Sequence, residues 1–410
     1  MKNILKKIKI YYKSGELLER IISKLYRMIL PYLYNLLAKS KDIKRNKIII
    51  MTFQNDYTCN AKYIVEELLK QNKNYDIVWA VKNIDAVKNN YPAGIRLVKR
   101  KTYKFYNEVF SSKIWIDNAM NFFNEKLLKK KEQILINTWH GSMGLKRIGE
   151  GDPNNKDWVE KAHRCQKETD YCITNSLFEE EVYRNTYWPN NEHWKIGHPR
   201  NDILVNNNKN EKEKIRKNFN EKYGLVGDEK LLLYAPTFRP DHSSDNYGID
   251  FFRLIEALEL KFGGKWKILT RMHYHLKKLN RKNKIYDEQI YLIDVTEYTD
   301  IQELMLISDI GITDYSSWIC DFVLTRKPAF IFASDLKEYS DTRGFYYPLS
   351  STPFLLANNN DELIKNINDF NLDNYIKECK EFLKERGCYE NGNASKQVVE
   401  KIKEIIGDVD

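Results

Sequence analysis

The chain predicts an α/β protein built from two similar doubly wound halves, preceded by a basic, amphipathic helical segment. Three observations carry this. At 410 residues the chain exceeds what one hydrophobic core comfortably organises. Short apolar runs alternate with helical patterns from Lys47 onward, and after a polar stretch near residue 210 the alternation starts again. The excess positive charge is confined to the first 47 residues.

Residues 1–47 hold thirteen Lys or Arg against Glu16, Glu19 and Asp42, which matches the net +10 of the whole chain. The remainder is therefore neutral, which excludes a diffusely basic, nucleic-acid-binding body. Within residues 1–45, Ile4, Leu5, Ile8, Leu17, Leu18, Ile21, Ile22 and Leu25 recur at helical spacing with Lys and Arg between them. Such a segment is expected to lie on an anionic membrane surface. The longest early apolar stretch, Met28–Leu37, contains Pro31 and Asn35 and falls short of the roughly 20 residues that span a bilayer. Its six scattered cysteines form no Cys-x-x-Cys pair and read as buried thiols in a reducing cytoplasm.

Strands are expected at Ile48–Phe53, Asp76–Val81, Ile95–Leu97, Ile114–Ile116, Ile134–Asn137, Tyr171–Thr174 and Trp194–Ile196. A second set follows at Leu231–Ala235, Trp266–Thr270, Ile290–Asp294, Ile310–Thr313 and Ala329–Phe332. Helices are expected at Ala61–Gln71, Phe251–Phe262, Ile301–Ile307 and Trp318–Leu324, with a helical tail over Asp361–Ile406. The expected organisation is a basic segment over 1–45, a Rossmann-like half over 46–205, a linker over 206–228, a second Rossmann-like half over 229–390 and a C-terminal helix over 391–410.

In doubly wound sheets ligands sit beyond the carboxyl ends of strands. Those positions hold Thr138-Trp139-His140-Gly141, Ala235-Pro236-Thr237-Phe238-Arg239, Arg271-Met272-His273 and Thr313-Asp314-Tyr315-Ser316-Ser317, and Asp341-Thr342-Arg343-Gly344-Phe345 lies near the end. Hydroxyl, imidazole and guanidinium groups in these places suit phosphate. Ser316 and Ser317 stand where a strand gives way to a helix, whose first N–H groups attract anions. Arg239, Arg271 and Arg343 add charge. His140 and His273 are the acid/base candidates, because imidazole titrates near neutral pH. Gly141 leaves room for a substrate beside the backbone. No P-loop or Gly-x-Gly-x-x-Gly motif is present. His242, His273 and His275 with Asp241 and Asp245 match no metal-ligand spacing, so no metal or cofactor is predicted.

The stretches TWHGSMGLKRIG (Thr138–Gly149), GHPRNDIL (Gly197–Leu204), YAPTFR (Tyr234–Arg239), RMHY (Arg271–Tyr274), TDYSSWICDF (Thr313–Phe322) and DTRGFY (Asp341–Tyr346) occur in this order, with SKIWIDN at Ser112–Asn118. Together they resemble the CDP-glycerol glycerophosphotransferases of teichoic-acid synthesis, from about Lys47 to Cys388. The resemblance implies a glycosyltransferase-B-like fold, with an acceptor-side first half and a nucleotide-binding second half. It implies transfer of a polyol phosphate from CDP-glycerol or CDP-ribitol to a hydroxyl of a lipid-linked acceptor, with release of CMP, at the cytoplasmic face of the membrane. By motif position it makes His140 a base or phosphate ligand and brings His273 to the diphosphate. Ser316 and Ser317 hold the phosphates with Arg343 near them, and Thr237 and Arg239 lie beside the nucleotide. After His-Gly the family usually shows Thr-Pro-Leu-Lys, whereas this chain has Ser142-Met143-Gly144-Leu145-Lys146, a loop expected to face the acceptor. Two other readings fit the two-half architecture: a nucleotide-sugar transferase and a non-catalytic membrane-bound scaffold.

Overall fold

The structure is a computed structural model that describes residues 29–30, 32–53, 56–71, 74–125, 127–148, 162–163, 165–237, 248–272, 291–342 and 344–407. Two parallel sheets organise them. The first contains β1 (Lys44–Met51), β2 (Asp76–Val81), β3 (Ile95–Lys99), β4 (Ser112–Asp117), β5 (Ile134–Asn137), β6 (Tyr171–Thr174) and β7 (Glu192–Lys195), in the order β3-β2-β1-β4-β5-β6-β7. The second contains β8 (Lys230–Tyr234), β9 (Trp266–Thr270), β10 (Leu292–Asp294), β11 (Ile310–Thr313), β12 (Ala329–Phe332) and β13 (Leu355–Ala357), in the order β10-β9-β8-β11-β12-β13. Both sheets reverse direction of winding at an internal pair, β1/β4 and β8/β11.

Parallel sheets are covered on both faces, so their strands are apolar throughout. In β1 the alternation of side chains splits Ile48 and Ile50 from Ile49 and Met51. The first pair packs under α1 (Cys59–Lys70), through Ala61, Ile64, Val65 and Leu68. The second pair packs under α2 (Tyr103–Ser111), through Phe105, Tyr106, Val109 and Phe110. The stretch expected as a linker carries α3 (Lys209–Tyr223), whose Phe219 is fully buried in the core of the second sheet. That core also receives α4 (Phe251–Phe262), α5 (Ile301–Ile307) and α6 (Trp318–Phe322).

The tail is three helices: α7 (Asn360–Asn368), α8 (Leu372–Glu385) and α9 (Ala394–Ile406). The last crosses back to the first sheet, where Val398, Val399, Ile402 and Ile406 join the core of α1 and β1. The two lobes meet at a largely dehydrated polar seam. Lys62 on α1 donates to Asp300 at 2.7 Å and Glu303 at 2.6 Å, and the Tyr63 hydroxyl donates to Asp300 at 3.0 Å. Asp300 is also the N-cap of α5, accepting from the Gln302 amide.

Candidate active site

The first half of the site is a strained turn at the end of β5. The Thr138 amide donates to the Asp117 carbonyl at 2.8 Å, and the Trp139 amide to Asn137 Oδ1 at 2.9 Å. Trp139 has φ of 48°, the left-handed region that a bulky residue rarely occupies. Two constraints hold it there. The buried Asn60 side chain donates to the Thr138 carbonyl at 2.9 Å and the Trp139 carbonyl at 3.3 Å. The indole packs among Tyr183, Tyr187 and Trp188.

This turn presents His140. Its Nδ1 lies 2.6 Å from the Asn118 carbonyl. A carbonyl only accepts, so Nδ1 carries the hydrogen and Nε2 is the basic nitrogen of the neutral ring. The imidazole stacks on Phe53 at 5.6 Å and on Trp139 at 4.6 Å between ring centres. Phe53 follows β1 and Asn118 follows β4, so the strand pair at which the winding reverses frames the histidine. The ring is exposed on its outer side, yet the protein packed around it lowers the imidazole pKa below its ordinary value, chiefly by desolvating the charged form. The Asn118 bond opposes this shift, and the positive charges of Arg200 and Lys146 add to it. At neutral pH His140 is an uncharged base. A Cβ at Gly141 would meet Trp139 Nε1 at 3.0 Å, so glycine leaves the indole its place.

The second half lies beyond β8, β9 and β11. Gly311 lets α6 sit directly on β11, because a Cβ would meet the Trp318 and Phe322 rings at 3.0 and 3.1 Å. The Trp318 indole donates to the Ala235 carbonyl at 2.8 Å. Thr313 is fully buried and its hydroxyl donates to the same carbonyl at 2.8 Å, so it stands behind the site. The Thr237 amide donates to Asp314 Oδ1 at 2.7 Å, which ties the end of β8 to the end of β11. Ser316 and Ser317 are half-buried, and Ser317 caps α6 with no side-chain hydrogen bond.

Two cavities border these groups. A cavity of about 370 Å³ is lined by Pro236, Arg271 and Ser316 from the second lobe and by Asp56 and Asn90 from the first. The Arg271 guanidinium donates to the Tyr298 carbonyl at its wall. A smaller cavity of about 50 Å³ brings Gly141, Ser142, Gly144 and Lys146 together with Ser317 and Tyr346. The structure thus collects Gly141 and Ser317 at one cavity and Arg271 and Ser316 at another, with His140 adjoining Gly141. His273, Arg239 and Arg343 lie outside the described residues, as do His242, His275, Asp241 and Asp245.

The loop after Gly141 has a second role. Met143 and Leu145 are fully buried in the core of the second lobe, while Ser142, Gly144 and Lys146 turn to the small cavity. The Tyr347 hydroxyl donates to the Met143 carbonyl at 2.7 Å, the Tyr346 amide to the Leu145 carbonyl at 2.9 Å and the Arg147 amide to the Gly344 carbonyl at 3.1 Å. The DTRGFY motif is therefore the docking strip for the loop that carries His140. Sequence reasoning left Asn60, Asn118, Arg200 and Asp321 without roles. Asn118, Arg200 and Asp321 lay in quoted motifs, and polar residues within apolar motifs are the signal that marks them.

Comparison with known proteins places these motifs. The profile of the family described as CDP-Glycerol:Poly(glycerophosphate) glycerophosphotransferase matches residues 33–404. A teichoic acid poly(glycerol phosphate) polymerase of Staphylococcus epidermidis is 32% identical over 396 residues, covering 91% of this chain and 53% of its own length. The chain thus spans about half of that relative. The enzyme of the same name from Bacillus spizizenii is 28% identical, over 97% of this chain and 99% of its own. A structure of the wall teichoic acid polymerase TagF soaked with CDPG superposes with a TM-score of 0.81 at 29% identity, covering 97% of this chain and 98% of that one. UDP-GlcNAc 2-epimerase from Methanocaldococcus jannaschii, with a TM-score of 0.51 and 13% identity, shares only the fold. With its profile matched over residues 33–404, this protein belongs to the CDP-glycerol:poly(glycerophosphate) glycerophosphotransferase family.

Proposed function

We propose that the protein transfers glycerol phosphate from CDP-glycerol to a hydroxyl of a lipid-linked or polymeric acceptor, releasing CMP, in the synthesis of a teichoic-acid-type or capsule-type surface polymer. The carrying observation is a neutral imidazole, fixed by the Asn118 carbonyl, on a loop that shares a cavity with the Ser317 end of α6. The acceptor hydroxyl gives its proton to His140 Nε2 and attacks the phosphorus that bears the glycerol. The bond from that phosphorus to the bridging oxygen breaks, and the electron pair leaves on CMP. Ser316, Ser317 and Arg271 stabilise charge on the diphosphate, with His273, Arg239 and Arg343 assigned to the same task and Thr237 beside the nucleotide. Positioning and electrostatics do most of the work in such a transfer.

The decisive experiment offers CDP-glycerol, CDP-ribitol and a UDP-sugar together with a lipid-linked acceptor, and analyses products by mass spectrometry. Glycerol-phosphate addition with CMP release supports the proposal. Ribitol-phosphate addition shifts the donor, and UMP or UDP release assigns a sugar transferase instead.

The same proposal places the protein at an anionic membrane surface. Among the described residues no helix is long and apolar enough to cross a bilayer. In the helix over 32–38, Tyr34 packs on Tyr103 and Tyr106 and Ala38 is buried, whereas Tyr32, Leu33, Leu36 and Leu37 are exposed, Leu36 by 71%. An apolar face of this kind, continuing the basic 1–28 stretch, supports interfacial binding. Co-sedimentation with phosphatidylglycerol vesicles but not phosphatidylcholine vesicles is the expected result, and residue 36 changed to Asp should weaken it.

A further inference from the structure

Behind the catalytic turn lies a buried ionic cluster, in which the observed bonds converge on Arg200. Its side chain is 3% exposed. Its Nε donates to Asp321 Oδ2 at 3.0 Å, and one terminal nitrogen forms an ion pair with the same oxygen at 3.0 Å. That same nitrogen also donates to the Gly141 carbonyl, and the other contacts Cys59 Sγ at 3.6 Å. The Arg200 amide donates to Asn60 Oδ1 at 3.2 Å, and Asn60 is the residue that holds the Thr138 and Trp139 carbonyls. Asp321 sits on α6, within one turn of Ser317, and its other oxygen accepts from Asn201 Nδ2 at 2.9 Å. Asn201 Nδ2 also donates to Glu390 at 2.8 Å.

The arrangement has a specific geometry. One guanidinium spans the residue after His140 in the first lobe and the helix after Ser317 in the second. Only a planar, multi-donor cation bridges a carbonyl and a carboxylate in this way, and lysine cannot reproduce the fork. A buried arginine also loses heavily when its carboxylate is removed, so its place is well determined.

We propose that Arg200 is a positioning residue for the transfer reaction: clamped by Asp321, it holds the Gly141 carbonyl and thereby fixes His140 relative to the start of α6. This rests on His140 being the base. Arg200 touches no substrate; it acts through the turn. A base displaced by about 1 Å loses on the order of 10²-fold in rate without losing substrate affinity.

The test is a kinetic cycle with CDP-glycerol and a lipid-linked acceptor, read as CMP release from the full chain. Arg200→Lys is expected to lower kcat by roughly 10²-fold with KM for CDP-glycerol changed less than about threefold. In a His140→Ala background the same change is expected to cost almost nothing, because the group it positions is gone. Melting curves and a CDP-induced thermal shift check that each variant folds and binds nucleotide. Should Arg200→Lys fail to fold, Asp321→Asn, which loosens the clamp while preserving its shape, carries the same expectation. Near-normal turnover by His140→Ala sinks the base reading and this proposal with it. An impaired His140→Ala enzyme, together with Arg200→Lys at wild-type kcat or an equal Arg200→Lys loss in both backgrounds, overturns the positioning role alone.

Discussion

The two lobes treat the polar groups at their strand ends in opposite ways. In the first, nearly every such group is committed to the protein: Asn137 to Trp139, Asn118 to His140 and Phe53, Asn60 to Thr138 and Trp139. In the second, Thr313 and Asp314 are committed, but Ser316 and Ser317 end the strand half-exposed, with no side-chain cap bond from Ser317. The difference follows from what each lobe is proposed to supply. A base works only in one orientation and tautomer, so its surroundings are saturated. An anion cradle works by having donors left over.

The sharpest way to break this comparison is to remove the base. His140→Ala should lower CMP release by about 10²–10⁴-fold while the nucleotide still binds. In the wild type the depressed pKa keeps the imidazole neutral below its ordinary titration range, so the rate should hold as the pH falls through about 6.5 and be lost only at more acidic pH. The same shift makes stability fall as the pH drops below about 6.5, where the unfolded chain takes up a proton that the folded chain refuses.

A second change attacks the tie between the lobes. Met143→Ala removes a fully buried side chain and should cost about 2–5 kcal/mol in denaturant unfolding. In the second lobe, replacing Ser316 and Ser317 together with Ala should raise KM for CDP-glycerol by about 10²-fold or more, since each hydrogen bond to a charged group contributes roughly 1.5–3 kcal/mol. An unchanged KM would show that those hydroxyls are not part of the cradle.

The smallest effect concerns Glu390. Burial, with the charges of Asp321 and Asp202, pushes its carboxyl up to about 8, against the bonds from Asn201 and His198. The folded protein therefore holds a proton that the unfolded chain releases above about 4.3. Stability from this group is complete below about pH 4.3, declines as the pH rises and is gone above about 8. The melting temperature should fall as the pH rises from about 5 to 8, and Glu390→Gln should flatten that slope.

Much of this was legible beforehand because parallel strands are apolar on both faces. Ile48–Ile50, Leu231–Leu233 and Ile310–Ile312 stand out as runs, and the residues after them are where ligands bind. β13 escaped, because Leu355–Ala357 is three residues with one exposed side chain. So did the return of α9 to the first sheet: an amphipathic helix shows that it packs, and not against what. Arg200, Asn60 and Asp321 lay in or near recognisable stretches, yet their work is tertiary. Nothing local tells that an arginine after Gly197-His198-Pro199 meets an aspartate 121 positions on. The Ser142–Lys146 loop was expected at the acceptor; its alternation of small or polar with apolar residues is the trace of its actual split between cavity and core.

That loop has a mechanical consequence. A segment rooted in one lobe that plugs Met143 and Leu145 into the other acts as a rivet. Prising the halves apart would expose both side chains to water, at roughly 1.5–3 kcal/mol each. On the proposed function, such a rivet keeps the His140 loop and the Ser317 end of α6 at a fixed spacing from one turnover to the next.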